Sequence, residues 1–252
     1  MIAAIGLTKK YGDFEAVRNL TLEIYSGELF GLLGPNGAGK TTTIRMLTGQ
    51  LPITSGQAKI DGLDVVTHPH AIKKIISYLA ENPFLYEKMT GREFLNFVGS
   101  MYDVDYKQKE AKIDSLLDLF EMTDVQNELI ETYSNGMRKK IAICSTLVHS
   151  PKVLFWDEPT RGLDPKSAFI VKELMKRLCR KGATIFFTTH ILEIAENLCD
   201  RVGIINQGKL EALGSLQELR HSSDESLEQV FLKLTGEVEA GKIERILNWK
   251  FL

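Results

Sequence analysis

Gly34-Pro35-Asn36-Gly37-Ala38-Gly39-Lys40-Thr41 decides the fold. The run follows Leu29-Phe30-Gly31-Leu32-Leu33, a short apolar stretch of the kind a buried parallel strand shows. Helical spacing takes over from Thr41 to Leu47, and Gly49 is placed to stop it. A strand, a glycine-rich turn and a helix in that order fit the G-x-x-x-x-G-K-[ST] pattern in its required context. Glycine opens backbone conformations closed to other residues, so successive N–H groups can converge on one anion. The helix adds its positive end, Lys40 a full charge for β- and γ-phosphates, and Thr41 a hydroxyl for Mg²⁺. Residues Asn36, Gly37, Ala38, Gly39, Lys40, Thr41 and Thr42 are therefore the expected nucleotide cradle.

Val153-Leu154-Phe155-Trp156 is a second apolar strand, and it ends in Asp157-Glu158. In a nucleotide fold both carboxylates stand at the strand's C-terminal edge, where ligands sit. Asp157 can hold Mg²⁺, directly or through water, and Glu158 can take a proton from an attacking water. An isolated Asp-Glu pair is more often a solvated strand end; the upstream cradle reverses that reading.

The rest of the chain supplies the surroundings. Thr21–Ile24, Thr184–Thr188 and Val202–Ile205 read as strands, and Asp61-Gly62 marks a reversal after a strand beginning near Ala58. From about residue 83 to 150 the pattern turns helical. Phe94, Phe97 and Val98 share one expected helix face, and Ile113, Leu116, Leu117 and Phe120 another. Tyr78-Leu79-Ala80-Glu81 is expected as a loop leading into that insert. Residues 1–220 are expected to form the main domain and 221–252 a helical extension, with Leu227, Val230, Phe231 and Leu234 on one face.

At 252 residues the chain can bury a full core, and 44% apolar with 25% charged residues is ordinary for a globular protein. A net charge of -2 gives no basic excess for a nucleic-acid partner. No stretch reaches the roughly 18 apolar residues of a spanning helix, which points to a cytoplasmic location. The three cysteines lack metal or redox spacing, and Cys144 and Cys199 read as small buried hydrophobes.

Tyr133-Ser134-Asn135-Gly136-Met137-Arg138, placed between the cradle and the acidic strand, resembles the signature segment of ABC ATPases. Ser134 caps the helix that follows, and its hydroxyl and the Gly136 N–H suit a phosphate. Glu158-Pro159-Thr160-Arg161-Gly162-Leu163-Asp164-Pro165 resembles the family's D-loop, and Thr188-Thr189-His190 its switch histidine. The resemblance covers about residues 2 to 220. It implies an α/β P-loop NTPase (RecA-like) core with an N-terminal antiparallel β subdomain and an inserted α-helical subdomain. It implies ATP and Mg²⁺ as ligands, with Tyr11 stacking on adenine, Val17 flanking the base and His190 on the γ-phosphate.

It implies, further, a dimer of identical or pseudo-symmetric ATPase chains, each ATP lying between one chain's cradle and the other's Ser134 and Gly136. The Y-S-x-G-M form is similar to ATPases of exporters whose integral membrane permease is a separate chain, which would place this chain on the cytoplasmic face of the membrane. The sequence departs from the family at Glu81, which can still face Mg²⁺ and the attacking water where Gln is usual but adds a negative charge beside the phosphates, at Asn135 for Gly and at Met137 for Gln. A ribosome- or DNA-directed relative would carry two cassettes or a long coiled-coil insertion. A guanine-reading enzyme would carry N-K-x-D, which is absent here.

Overall fold

A computed structural model of the chain describes residues 1–220 and 226–236. Strands β1 (Ile2–Tyr11) and β2 (Phe14–Ile24) form a hairpin, then β3 (Leu29–Leu33) leads through the glycine run into α1 (Lys40–Leu47). β4 (Ser55–Ile60), β5 (Leu63–Asp64), α2 (Pro69–Ile75) and β6 (Ile76–Leu79) follow. Three helices come next: α3 (Gly91–Met101), α4 (Tyr106–Leu119) and α5 (Asn135–Leu147). The chain then alternates through β7 (Val153–Asp157), α6 (Pro165–Arg180), β8 (Thr184–Thr189), α7 (Leu192–Leu198), β9 (Arg201–Asn206) and β10 (Lys209–Gly214). Helices α8 (Leu216–Leu219) and α9 (Leu227–Thr235) end the described part.

Two sheets result. One is antiparallel, in the order β2-β1-β4-β5; the other runs β10-β9-β3-β8-β7-β6, parallel except for β10. Strands β3 and β7, in the middle of the parallel sheet, are near-continuous buried apolar runs because both faces of the sheet are covered there. Val153 and Phe155 pack toward the antiparallel sheet and α1, while Leu154 and Trp156, one residue on, pack toward α3–α6. That is the period-2 alternation of a strand, with apolar partners on both sides. Trp156 and Phe155 are fully buried, each contributing roughly 1.5–3 kcal/mol of apolar burial.

The expected strands are present, as are α1 and the reversal at Asp61-Gly62, where both residues have positive φ. Among the elements not read from the sequence are β1, α2, β6 and α7. Tyr78-Leu79 is strand rather than loop, because Ile76–Leu79 pairs in parallel with Val153–Trp156; the loop begins at Ala80. Within α3, Phe94 and Val98 face the core as expected, but Phe97 lies on the exposed side against Tyr86. Cys144 is buried, and Cys199 is half-buried with its thiol against Gly31. Of the expected extension over 221–252, residues 221–225 and 237–252 lie outside the described residues. In α9, Leu227 and Val230 are buried against Leu33 and Ile204.

The sheet topology has one consequence for chemistry. The loops leaving β3, β6, β7 and β8 all emerge at the C-terminal edge of the parallel sheet, so one edge gathers side chains far apart in sequence.

Candidate functional site

That edge opens into a cavity of about 420 Å³. Residues 36–42 line it, together with Tyr11, Glu81, Asp157 and Glu158. Gly39 has φ 110, and a Cβ there would meet the Ala16 carbonyl oxygen at 2.7 Å, so only glycine fits between the cradle and β2. No side chain caps α1, which leaves the orphan N–H groups of its first turn directed at whatever enters. Lys40 is buried, and its ammonium donates to the carbonyls of Gly34 (2.6 Å) and Pro35 (3.1 Å), closing the loop over itself. Burial pushes its pKa down, opposed by the charges of Glu158 and Asp157.

Asp157 is held from two sides. The Thr41 hydroxyl donates to Oδ2 at 2.7 Å, and the Thr188 hydroxyl donates to Oδ1 at 2.5 Å. Glu158 follows in a left-handed backbone conformation, φ 49, fixed by its N–H donating to the Thr188 carbonyl and hydroxyl. Its Oε1 meets His190 Nδ1 at 2.7 Å, whereas its buried Oε2 has no partner. An unpaired buried carboxylate oxygen costs stability and marks a place kept for a ligand or a proton.

The donors suit Mg²⁺. Among the described residues no cluster of three or more His, Cys, Asp or Glu could hold a metal on its own. The cavity offers instead the Thr41 hydroxyl and the Asp157 carboxylate, and Mg²⁺ characteristically takes one or two carboxylates and completes its shell with phosphate oxygens and water.

Four expected site residues lie elsewhere. His190 sits on Glu158 and is not part of the cavity wall. Ser134 caps α5, its hydroxyl accepting from the Met137 N–H at 3.3 Å, and neither Ser134 nor Gly136 lines the cavity. Asn135 and Arg138 instead border an adjoining cavity of about 350 Å³ that shares Glu81 and Arg161 with the first. Val17 is fully buried and backs Gly39, so it does not flank the cavity.

Sequence reasoning missed Phe14, Ala16, Arg161 and Lys139. Phe14 pairs directly opposite Tyr11 across the hairpin, and both aromatic rings line the cavity. Gly12-Asp13 was the available signal, since a two-residue turn places its flanking residues face to face. Arg161 forms an ion pair with Glu81. Lys139 is buried on α5, donates to the carbonyls of Ala80 (3.2 Å) and Glu81 (3.0 Å), and has a pKa lowered by burial to about 8.

An uncapped helix start after a parallel strand, a buried lysine and an acidic strand end define a nucleoside-triphosphate-binding P-loop protein. The comparisons narrow the class. The family model described as ABC transporter matches residues 17–161. NatA of Bacillus subtilis, an ABC transporter ATP-binding protein, is 37% identical over 238 residues, covering 92% of this chain and 97% of that one. The daunorubicin/doxorubicin resistance ATP-binding protein DrrA of Streptomyces peucetius is 36% identical over 247 residues, 98% of this chain and 74% of its own. An uncharacterized ABC transporter ATP-binding protein of Nostoc is 38% identical over 211 residues, and this chain spans 62% of its length. A solved ATP-binding subunit of an ABC transporter superposes with a TM-score of 0.89 at 30% identity, over 94% of this chain and all of that one. The chain belongs to the ABC transporter family.

Proposed function

We propose that this chain powers export through a separate membrane permease, hydrolysing MgATP within a dimer at the cytoplasmic face of the membrane. The observation that carries the chemistry is Glu158, whose Oε2 is buried beside the cradle without a partner. Adenine rests on Tyr11 and Phe14, and the phosphates lie at the start of α1 and on Lys40. Thr41 and Asp157, with Glu81 nearby, would hold Mg²⁺, which supplies charge neutralisation on the phosphate oxygens. Glu158 takes a proton from a water as that water's oxygen attacks the γ-phosphorus. The bond from phosphorus to the ADP oxygen breaks, leaving ADP and inorganic phosphate. His190 orients Glu158 before closure and contacts the γ-phosphate in the closed dimer.

The dimer follows from an incomplete site. Ser134 and Gly136 form an anion-suited turn that does not line this chain's own cavity; a second copy brings that turn to it. Differential affinity of ATP for closed and open pairs drives the motion. The permease reading is supported by an exposed aromatic group beside the Glu81 loop. Phe84 is 88% exposed, and Tyr86 packs edge-on between Phe84 and Phe97. Contiguous apolar surface of this kind marks a protein contact. No helix among the described residues is long and apolar enough to cross a membrane. The resistance function in the name of DrrA favours export as the direction.

Glu158→Gln tests the mechanism. The variant is expected to bind ATP, to elute as an ATP-dependent dimer and to lose on the order of 100- to 10,000-fold in turnover, the range for a positioned general base. Wild-type-like hydrolysis would remove Glu158 from the role of base. Co-purification with ribosomes, in place of a polytopic membrane protein, would remove the permease.

A further inference from the structure

Glu81 adds a carboxylate to a cavity that already holds Asp157 and Glu158, and a triphosphate brings further negative charge. At ~6 Å, one uncompensated charge changes binding by roughly 3- to 100-fold as the effective dielectric falls from that of water to about 20. The chain answers that charge locally. Arg161 Nη1 pairs with Glu81 Oε1. Both side chains line the nucleotide cavity and the adjoining cavity under the signature turn.

Lys139 also reaches this loop and has a different task. Its ammonium donates to the main-chain carbonyls of Ala80 and Glu81 and so fixes the loop backbone, leaving the carboxylate to Arg161. Arg161 in turn is anchored close to the proton acceptor, its N–H donating to the Glu158 carbonyl at 3.2 Å. Three elements therefore meet at Glu81: its own loop after β6, the loop after β7 through Arg161, and α5 through Lys139. A half-exposed ion pair adds little to stability. Its value lies in the charge that the cavity presents.

We propose that Arg161 is a positioning residue for nucleotide turnover: its guanidinium cancels the Glu81 carboxylate, so a polyphosphate meets the net charge that a neutral side chain at position 81 would give. It also holds Glu81 toward the loop after β7 until nucleotide arrives. This inference rests on the ATPase reading above, and the experiment separates the two.

Steady-state hydrolysis is measured against MgATP concentration for the wild type, Arg161→Ala, Glu81→Gln and the double variant, with thermal unfolding of each to establish that it is folded. Arg161→Ala is expected to raise KM by about ten-fold, more than it lowers kcat, and the rise shrinks in high salt as screening shortens. Glu81→Gln alone lowers KM, since an unpaired guanidinium then faces the phosphates. The double variant returns KM to within about two-fold of the wild type although it lacks the same arginine, because no charge is left to cancel. An unmoved KM in Arg161→Ala overturns the inference. So does a double variant as impaired as Arg161→Ala, which would mean that Arg161 acts on phosphate or fold without Glu81. A folded wild type that neither binds nor turns over MgATP overturns the ATPase reading and this inference with it.

Discussion

Helices α1 and α5 both begin beside glycine, and they begin differently. α1 starts behind Gly39 with no side-chain cap, next to a buried ammonium and two carboxylates. α5 starts behind Ser134, whose own hydroxyl accepts from the first turn at 3.3 Å, outside that cavity. On the proposed reading the first is a whole anion site within one chain. On the same reading the second is part of one, its first turn already partly satisfied by the Ser134 hydroxyl. Binding should therefore belong to α1 alone, and α5 should matter only once two chains meet.

The largest expected effect tests the first half of that contrast. Lys40→Ala removes a charge-assisted contact to phosphate and the tether across the loop, and should weaken ATP binding on the order of 100-fold in calorimetric titration. An affinity within a few-fold of wild type would mean that the cradle is not the site. Ser134→Ala tests the second half. It should leave ATP affinity of the isolated chain intact, lower turnover by about ten-fold and cost about 1 kcal/mol in urea unfolding through the lost cap. Equal losses of binding in both variants would erase the distinction between the two helix starts.

The smallest effect concerns how α5 is fastened to the Glu81 loop. Burial lowers the Lys139 pKa to about 8, against the opposing pull of Asp157 and Glu158. Between about pH 8 and the ordinary lysine value of 10.5 the unfolded chain binds more protons than the native one, so stability rises with pH across that window. Lys139→Met should flatten the rise, read from urea unfolding at pH 8, 9 and 10. Identical slopes in the two proteins would show that the ammonium is not desolvated in solution.

The cradle was legible because its chemistry needs Gly, Lys and Thr at fixed spacing inside one strand-turn-helix unit. Asp157 and Glu158 were legible for the same reason: a buried strand that ends in acids announces its own C-terminal edge. β6 escaped because Ile76-Ser77-Tyr78-Leu79 mixes polar with apolar residues, and only pairing with β7 makes it a strand. Phe14 escaped for want of reading the two-residue turn before it. The Glu81–Arg161 pair was beyond reach by pattern alone. Its members stand far apart in sequence and meet only because β6 and β7 are neighbours in the sheet, which puts their outgoing loops side by side.

One oxygen links the two acids. The Thr188 hydroxyl gives its hydrogen to Asp157 and receives the Glu158 N–H, so β8 holds both acids through a single atom. The interval between the Asp157 and Glu158 carboxyl groups is thereby dictated by the register of two adjacent strands and not by the segment that follows them. A displacement of β8, wherever it starts, would shift both acids together, and their relative alignment would survive movements that rearrange everything around them.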